Sequence, residues 1–221
     1  MWVFTRQGYR GSQMADIARK MGVTEAALYR YVESKEGLFH LVIRQALLLE
    51  PLAQDALPLA SPSLEVTFKE LQARVADVHG TPCLEAALRR RRVEDPGAEL
   101  EGIVRELFSL MTRTRRGMEM IERSARELPE LARLAHVEMR RPVLDALTTY
   151  LTRRARRGGL RRTPDSAATA RLILETVSWF ARHRLSDPDG RAIDDDVAEE
   201  TVVDMLVHAL IPDSRSGEDT P

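Results

Sequence analysis

The chain has 221 residues with 33 Lys/Arg against 34 Asp/Glu, a formal net charge of −1, and 43% hydrophobic residues. This is enough for a small domain and a larger one, with the composition of a globular rather than a disordered protein. No apolar run reaches the ~18–20 residues of a membrane-spanning helix, Met1 to Arg6 is too short for a signal peptide, and the single Cys83 cannot close an internal disulfide, so the expected compartment is the cytoplasm and no membrane partner is expected.

In chain order, almost every periodic segment reads as helix, and no alternating run is long enough for a sheet. Residues that end or start helices interrupt the pattern at 8–11, 21–23, 33–34, 56–62, 80–82, 94–97, 128–129, 158–159 and 186–190. The prediction is an all-α fold of about ten helices, ending in a frayed tail from Asp213 to Pro221. Residues 1–50 carry 7 Lys/Arg against 5 Asp/Glu, whereas the remainder carries 26 against 29. The asymmetry is a mild pointer to an anionic partner at the N-terminal end, although a difference of this size is often just a solvated face.

The first helix offers only Trp2, Val3 and Phe4 as apolar anchors before Gly8. The segment DIARKMGVTEAALYRYVESKEGL, Asp16 to Leu38, follows. Two helices that cross closely need a small residue on the first, a residue tolerating positive φ in the turn, and an aliphatic anchor on the second. Ala18, Gly22 and Leu28 supply these in order. Ile17, Met21 and Val23 fill the apolar positions around the crossing, and Ser12 and Thr24 stand where each helix wants an N-cap. By itself this spacing fits a helix-turn-helix or a plain helical hairpin. The second helix, expected over Thr24 to Val32, turns outward groups suited to phosphates and base edges.

The run from Phe4 through Gly8-Tyr9, Ser12, Asp16-Ile17-Ala18, Gly22-Val23-Thr24, Leu28-Tyr29, Tyr31 and Ser34-Lys35-Glu36 to Leu38 resembles the N-terminal domain of the TetR-type (tetracycline-repressor-like) transcriptional regulators. The match covers about residues 3–46 and is architectural beyond. The resemblance implies that Ser12, Gln13, Tyr29 and Lys35 stand at phosphate-binding positions. Glu25, Ala26, Ala27, Arg30 and Tyr31 stand at positions facing the major groove, and Thr24 is grouped with them as DNA-binding. Tyr31 has an alternative role, packing against the fourth helix. Glu25 either accepts from a cytosine amino group or repels the backbone. Gly37 replaces the acidic residue usual after Ser-Lys-Glu, so Ser34 caps the fourth helix without a reciprocal partner. The family's first helix normally begins about a dozen residues earlier, often behind a basic arm. The expectation is therefore that the natural start lies upstream of Met1; the alternative is a head that has lost packing and phosphate contacts.

The implied architecture is a head, residues 1–46, followed by a larger helical ligand-binding and dimerisation domain, residues 47–221. Segments 64–79, 98–128 and 131–157 would enclose a cavity for a small-molecule effector, with Phe68, Phe108, Met111, Met118, Met120, His136 and Met139 as candidate contacts; each of these can equally be a core residue. The last two helices, Pro164 to Leu185 and Asp194 to Ile211, are apolar on more than one face, and the resemblance makes them a two-fold interface. Ala170, Ile173, Val177, Phe180, Val202, Leu206 and Leu210 are its expected residues, with Leu172 and Trp179 off the stripe. Arg89 to Arg92 and Arg153 to Arg157 look like nucleic-acid patches, the second equally suited to a helix C-terminus. Asp194 to Asp196 read as helix-start acids rather than a metal site. No Ser/His/Asp or Cys/His constellation and no phosphate-cradling Gly loop appears, so neither cofactor, metal nor catalytic activity is expected. The function this implies is a homodimeric, ligand-responsive regulator, most often a repressor, on a near-palindromic double-stranded DNA operator. The alternative is a helical ligand-binding or interaction protein whose shortened head no longer binds DNA specifically.

Overall fold

The computed structural model describes residues 1–47, 58–59, 61–78 and 80–212, so the expected tail lies outside the described residues. Among these the chain is all-α: α1 (Trp2–Gly11), α2 (Met14–Met21), α3 (Glu25–Leu28), α4 (Lys35–Leu47), α5 (Leu64–Val78), α6 (Pro82–Arg89), α7 (Pro96–Ser124), α8 (Pro129–Arg133), α9 (Arg141–Arg156), α10 (Ser166–Ala181) and α11 (Asp195–Leu210). A π-helical stretch, Leu134–Arg140, joins α8 to α9. No described helix is long and apolar enough to cross a membrane.

The chain divides into two compact units, Met1–Gly80 with Arg113–Arg141, and Thr81–Thr112 with Pro142 onward. In the first, the short helices α1 to α4 share a core with α5, the second half of α7, and α8. Phe4, Phe39, Ile43, Leu47, Leu71, Met120, Ile121 and Leu131 are all buried together there. A four-helix segment of this length has only a small core of its own, and the second half of α7 enlarges it with Met120 and Ile121. The approach is close at Gly117, where a Cβ would stand 2.6 Å from the Ala46 carbonyl oxygen. Gly37 has a similar reason: a Cβ there would collide with the Ser61 hydroxyl. Ser34 Oγ accepts from the Gly37 N–H at 3.2 Å, so it caps α4 as expected.

The second unit is built around Leu84, Leu100, Ile103, Leu107, Phe108 and Leu147, with one face each of α10 and α11. Asp165 caps α10 by accepting from the Ala168 N–H at 2.5 Å. Arg105 on α7 reaches Glu101, and Glu199 and Glu200 on α11. Asp194 stands at the α11 N-cap without a side-chain capping bond, and Asp195 pairs with Arg184. No group of His, Cys, Asp or Glu able to hold a metal occurs among the described residues.

The residues expected at a two-fold interface are placed differently. Ala170, Ile173, Val177, Val202, Leu206 and Leu210 are buried in the chain's own core, and Phe180 packs against it. Each helix has room for only one core-facing stripe, and these residues form it. The apolar side chains left outside are Leu172 at 62% and Trp179 at 39% exposure on α10, with Val197 at 55% and Met205 at 64% on α11. Leu172 and Trp179 lie two turns apart on α10, and Val197 and Met205 about two turns apart on α11.

Candidate nucleic-acid interface

Helix α2 ends at Gly22, whose φ of 71° is left-handed, and the Val23 N–H returns to the Ala18 carbonyl at 3.1 Å. This closure satisfies the last α2 carbonyls and reverses the chain. Thr24 then opens α3, its Oγ1 accepting from the Ala27 N–H at 3.1 Å. Leu28 plugs the pair into the core at 3% exposure, beside Ala18 at 2%. Together these make a helix-turn-helix.

The α-helical part of α3 is shorter than the expected Thr24 to Val32. Beyond Leu28 the bonds tighten, Arg30 N–H to Ala27 at 3.3 Å and Tyr31 N–H to Leu28 at 3.0 Å. Val32 turns inward and bridges Leu59 in parallel, while the Tyr31 carbonyl accepts from the Leu59 N–H at 2.9 Å. A carbonyl taken by a distant segment ends the helix.

This ending directs the side chains. Gln13, Thr24, Glu25, Ala26, Tyr29, Arg30 and Tyr31 are exposed, and Ala27 is half-buried. Tyr31, 55% exposed, is not packed away against α4. Two residues grouped with them lie elsewhere. Ser12 is buried, and its hydroxyl donates to the Gly8 carbonyl at 2.6 Å, tying off α1; the N-cap of α2 is Gln13, without a side-chain bond. Lys35 is half-buried, its ammonium over the Tyr9 ring at 4.5 Å and donating to the carbonyls of Tyr9 and Ser12, each at 3.2 Å. Both polar groups are drawn to carbonyls at the end of α1, where the helix leaves acceptors unfilled.

Tyr9 centres this lock. Its ring meets Phe39 edge-on at 4.9 Å, and its hydroxyl donates to Glu36 at 2.6 Å. That bond holds the Glu36 carboxyl below its usual range, while burial, then Glu36 itself, pushes the Tyr9 phenol up. A depressed carboxyl contributes stability that is in place above the ordinary value of 4.5 and lost as pH falls through the folded value. A raised phenol contributes stability present below its ordinary value of 10 and lost as pH rises beyond it. Tyr9→Phe is therefore expected to cost about 1 kcal/mol near neutrality, discounted for the partly exposed Glu36. It should also flatten the loss of stability at both pH extremes. Denaturant unfolding across pH checks this; an unchanged pH profile would refute the lock.

Sequence reasoning missed further members. Gly8 adopts φ 74°, ψ −179°, kinking α1, and the Arg10 N–H donates to Glu127 Oε2 at 2.8 Å. Trp2 lies between Arg6 and Lys20, 4.9 and 4.3 Å from its ring. Gly8 was visible as a helix break, but nothing local points to a carboxylate 117 residues away.

Of the seven effector candidates, Met120 lies in the first unit's core with Phe68, Met118 and Met139 packed against it, Phe108 lies in the second unit's core with Met111 packed against it, and His136 is exposed.

Comparison with known proteins agrees with this geometry. Residues 1–42 match the family model described as bacterial regulatory proteins, tetR family, and residues 93–210 match the tetracyclin repressor-like C-terminal domain. No curated protein matches the chain significantly. Among solved structures, a TetR-family regulator named PfmR from Thermus thermophilus is 20% identical, covering 93% of this chain and 89% of its own, at a TM-score of 0.53. SmeT of Stenotrophomonas maltophilia, solved as a triclosan complex, is 20% identical over 96% of this chain and 88% of its own, also at 0.53. A candidate TetR-family regulator from Mesorhizobium loti is 15% identical over 95% and 92%, at 0.52. These likenesses show a shared fold, and the two family matches, with a helix-turn-helix at residues 14–28, show that the chain belongs to the TetR family of bacterial transcriptional regulators.

Proposed function

We propose that the chain is a homodimeric repressor that binds a near-palindromic operator and releases it when a small effector binds. The observation that carries the DNA-binding reading is the outward row Gln13, Thr24, Glu25, Ala26, Tyr29, Arg30 and Tyr31 on a helix-turn-helix whose inner face is fixed by Ala18 and Leu28. Hydroxyl and amide groups in this row suit phosphate oxygens, and the Arg30 fork suits the acceptor pair of a guanine. Selection of bound sequences from random duplex DNA tests it: an enriched two-fold site supports the proposal, and no enrichment favours a helical binding protein with a silent head.

Two variants separate the roles. Arg30→Ala is expected to relax preference at one base pair per half-site, costing about 1–3 kcal/mol there. Lys35→Ala, which removes two bonds to the end of α1, is expected to lower head stability by about 1 kcal/mol and to weaken all duplexes alike. Titrations against consensus and mismatched duplexes, with thermal unfolding, check both. A Lys35→Ala protein of unchanged stability but altered sequence preference would contradict this assignment.

The dimer reading rests on Leu172, Trp179, Val197 and Met205, large apolar side chains that the chain's own core leaves outside. Burying what remains exposed of each in a partner is favourable by roughly 1 kcal/mol or more. Leu172→Glu combined with Met205→Glu is expected to give a folded monomer by sedimentation. Val177→Glu should instead disrupt the protomer, because Val177 is fully buried. A wild-type chain sedimenting as a monomer at micromolar concentration would remove the dimer.

The effector reading has support in the partly buried Phe68, Met118 and Met139 beside the first unit's core. Flexible methionines adapt to an apolar guest, and a relative of the same fold was solved with the small molecule triclosan.

A further inference from the structure

The two arginine runs of the sequence meet in the second unit. Residues 86–93 hold four arginines and no acid, and residues 150–162 hold six and no acid. The α9 end is latched onto the α6 end through carbonyls: Arg153 donates to Leu88 at 3.0 Å, Arg154 to Ala87 at 2.8 Å, and Arg157 to Arg91. Arg154 itself is buried and neutralised by Glu99, at 2.6 and 2.9 Å. Gly158, at φ 74°, then turns the chain, with the Gly159 N–H returning to the Arg154 carbonyl at 3.0 Å. The Arg161 N–H is fixed to the Leu210 carbonyl at 2.7 Å. Backbone anchors on both sides thus hold the segment from 154 to 161.

Between these anchors lies an open cleft of about 490 Å³, with Arg156, Arg161 and Arg162 on its walls and Ala155, Leu160 and Pro212 supplying apolar surface. The three arginines are exposed, and none pairs with a carboxylate among the described residues. Three exposed arginines lining one concave volume give it a positive potential that favours an anion. Arginine forks match phosphate oxygens two at a time, and the volume lies in the range of small-molecule sites. A duplex backbone would need a longer track of cations than this single cleft supplies.

We propose that this cleft binds a small anion carrying two or more phosphates, of the nucleotide or condensed-phosphate class. Its chemistry is separate from that of the helix-turn-helix, so it stands whether or not the head binds DNA.

The test is calorimetric titration of the full chain with inorganic tripolyphosphate, with ATP and with random-sequence duplex DNA, at fixed ionic strength. Saturable binding of one equivalent per chain is expected for a small anion. Tighter binding of ATP than of tripolyphosphate would assign the apolar wall to a base or sugar, and equal binding would assign the site to the phosphate chain alone. Replacing Arg156, Arg161 and Arg162 by Gln should weaken that binding roughly tenfold or more. The same change at the exposed Arg116, Arg126 and Arg191 should leave it unaltered, with thermal unfolding confirming that both variants fold. No saturable binding, or equal weakening in both variants, would overturn the proposal. So would a result in which only duplex DNA binding responds to the cleft variant.

Discussion

Glu99→Ala is expected to lower the stability of the second unit by about 3–5 kcal/mol, the usual cost of leaving a buried charge without its partner. The Glu99 and Arg154 side chains are 5% and 2% exposed and joined by two bonds at 2.6 and 2.9 Å. Without the carboxylate, Arg154 keeps the Ala87 and Arg90 carbonyls and the Tyr150 ring, 5.5 Å from its guanidinium, but no counter-charge. The loss should spread to α6, since those carbonyls are its C-terminal acceptors. Glu99→Gln, which keeps an acceptor but not the charge, should cost clearly less. Urea unfolding of the three proteins decides it, and a Glu99→Ala protein within about 1 kcal/mol of wild type would mean that water reaches the pair.

How much of this was legible depends on how local the cause is. Ala18, Gly22, Thr24 and Leu28 were readable because a close crossing, a left-handed turn, a cap and an anchor are demands met within a dozen residues, and the structure fills each as expected. Ser12 misleads as a cap, and Lys35 has partners within the head that a local reading does not anticipate. A hydroxyl just before a helix reads as its cap, and a lysine beside a recognition helix reads as a phosphate ligand. Which acceptor each group takes depends on how α1 closes, and that follows from Gly8, Tyr9 and Glu36 acting together.

The apolar helices at the end of the chain show a different limit. Periodicity identifies a helix apolar on two sides, but both sides look alike until the core is assembled. Val177 and Leu206 fit the interface pattern and are core; Leu172 and Trp179 fall off the stripe, and are indeed outside it. Charge pairs across long separations, such as Glu99 with Arg154 and Glu127 with the Arg10 N–H, leave no local trace. The basic runs were visible, but their meeting was not, because it is made by side chains donating to main-chain carbonyls on another helix.

Gly8→Ala is expected to cost the head about 2–3 kcal/mol and to weaken DNA binding at least tenfold. The residue stands at φ 74°, ψ −179°, a region open essentially to glycine alone, where another residue carries a strain of about 1–3 kcal/mol. An added Cβ would also lie 3.1 Å from Glu127 Oε2, the oxygen that accepts the Arg10 N–H. Of the two effects, strain should dominate, since a carboxylate at the end of a side chain can move a few tenths of an ångström and the backbone cannot. If the backbone yields instead, the kink straightens, the Ser12 bond to the Gly8 carbonyl breaks, and the carbonyls that hold Lys35 are displaced. The link from α1 to α2 would then loosen, and with it the direction of α3. The double variant Gly8→Ala with Glu127→Ala separates the causes. It removes the close contact but not the strain, so it should be no more stable than Gly8→Ala alone. Recovery of wild-type stability and affinity in the double variant would show that the Glu127 contact, and not the backbone at Gly8, sets the geometry of the head.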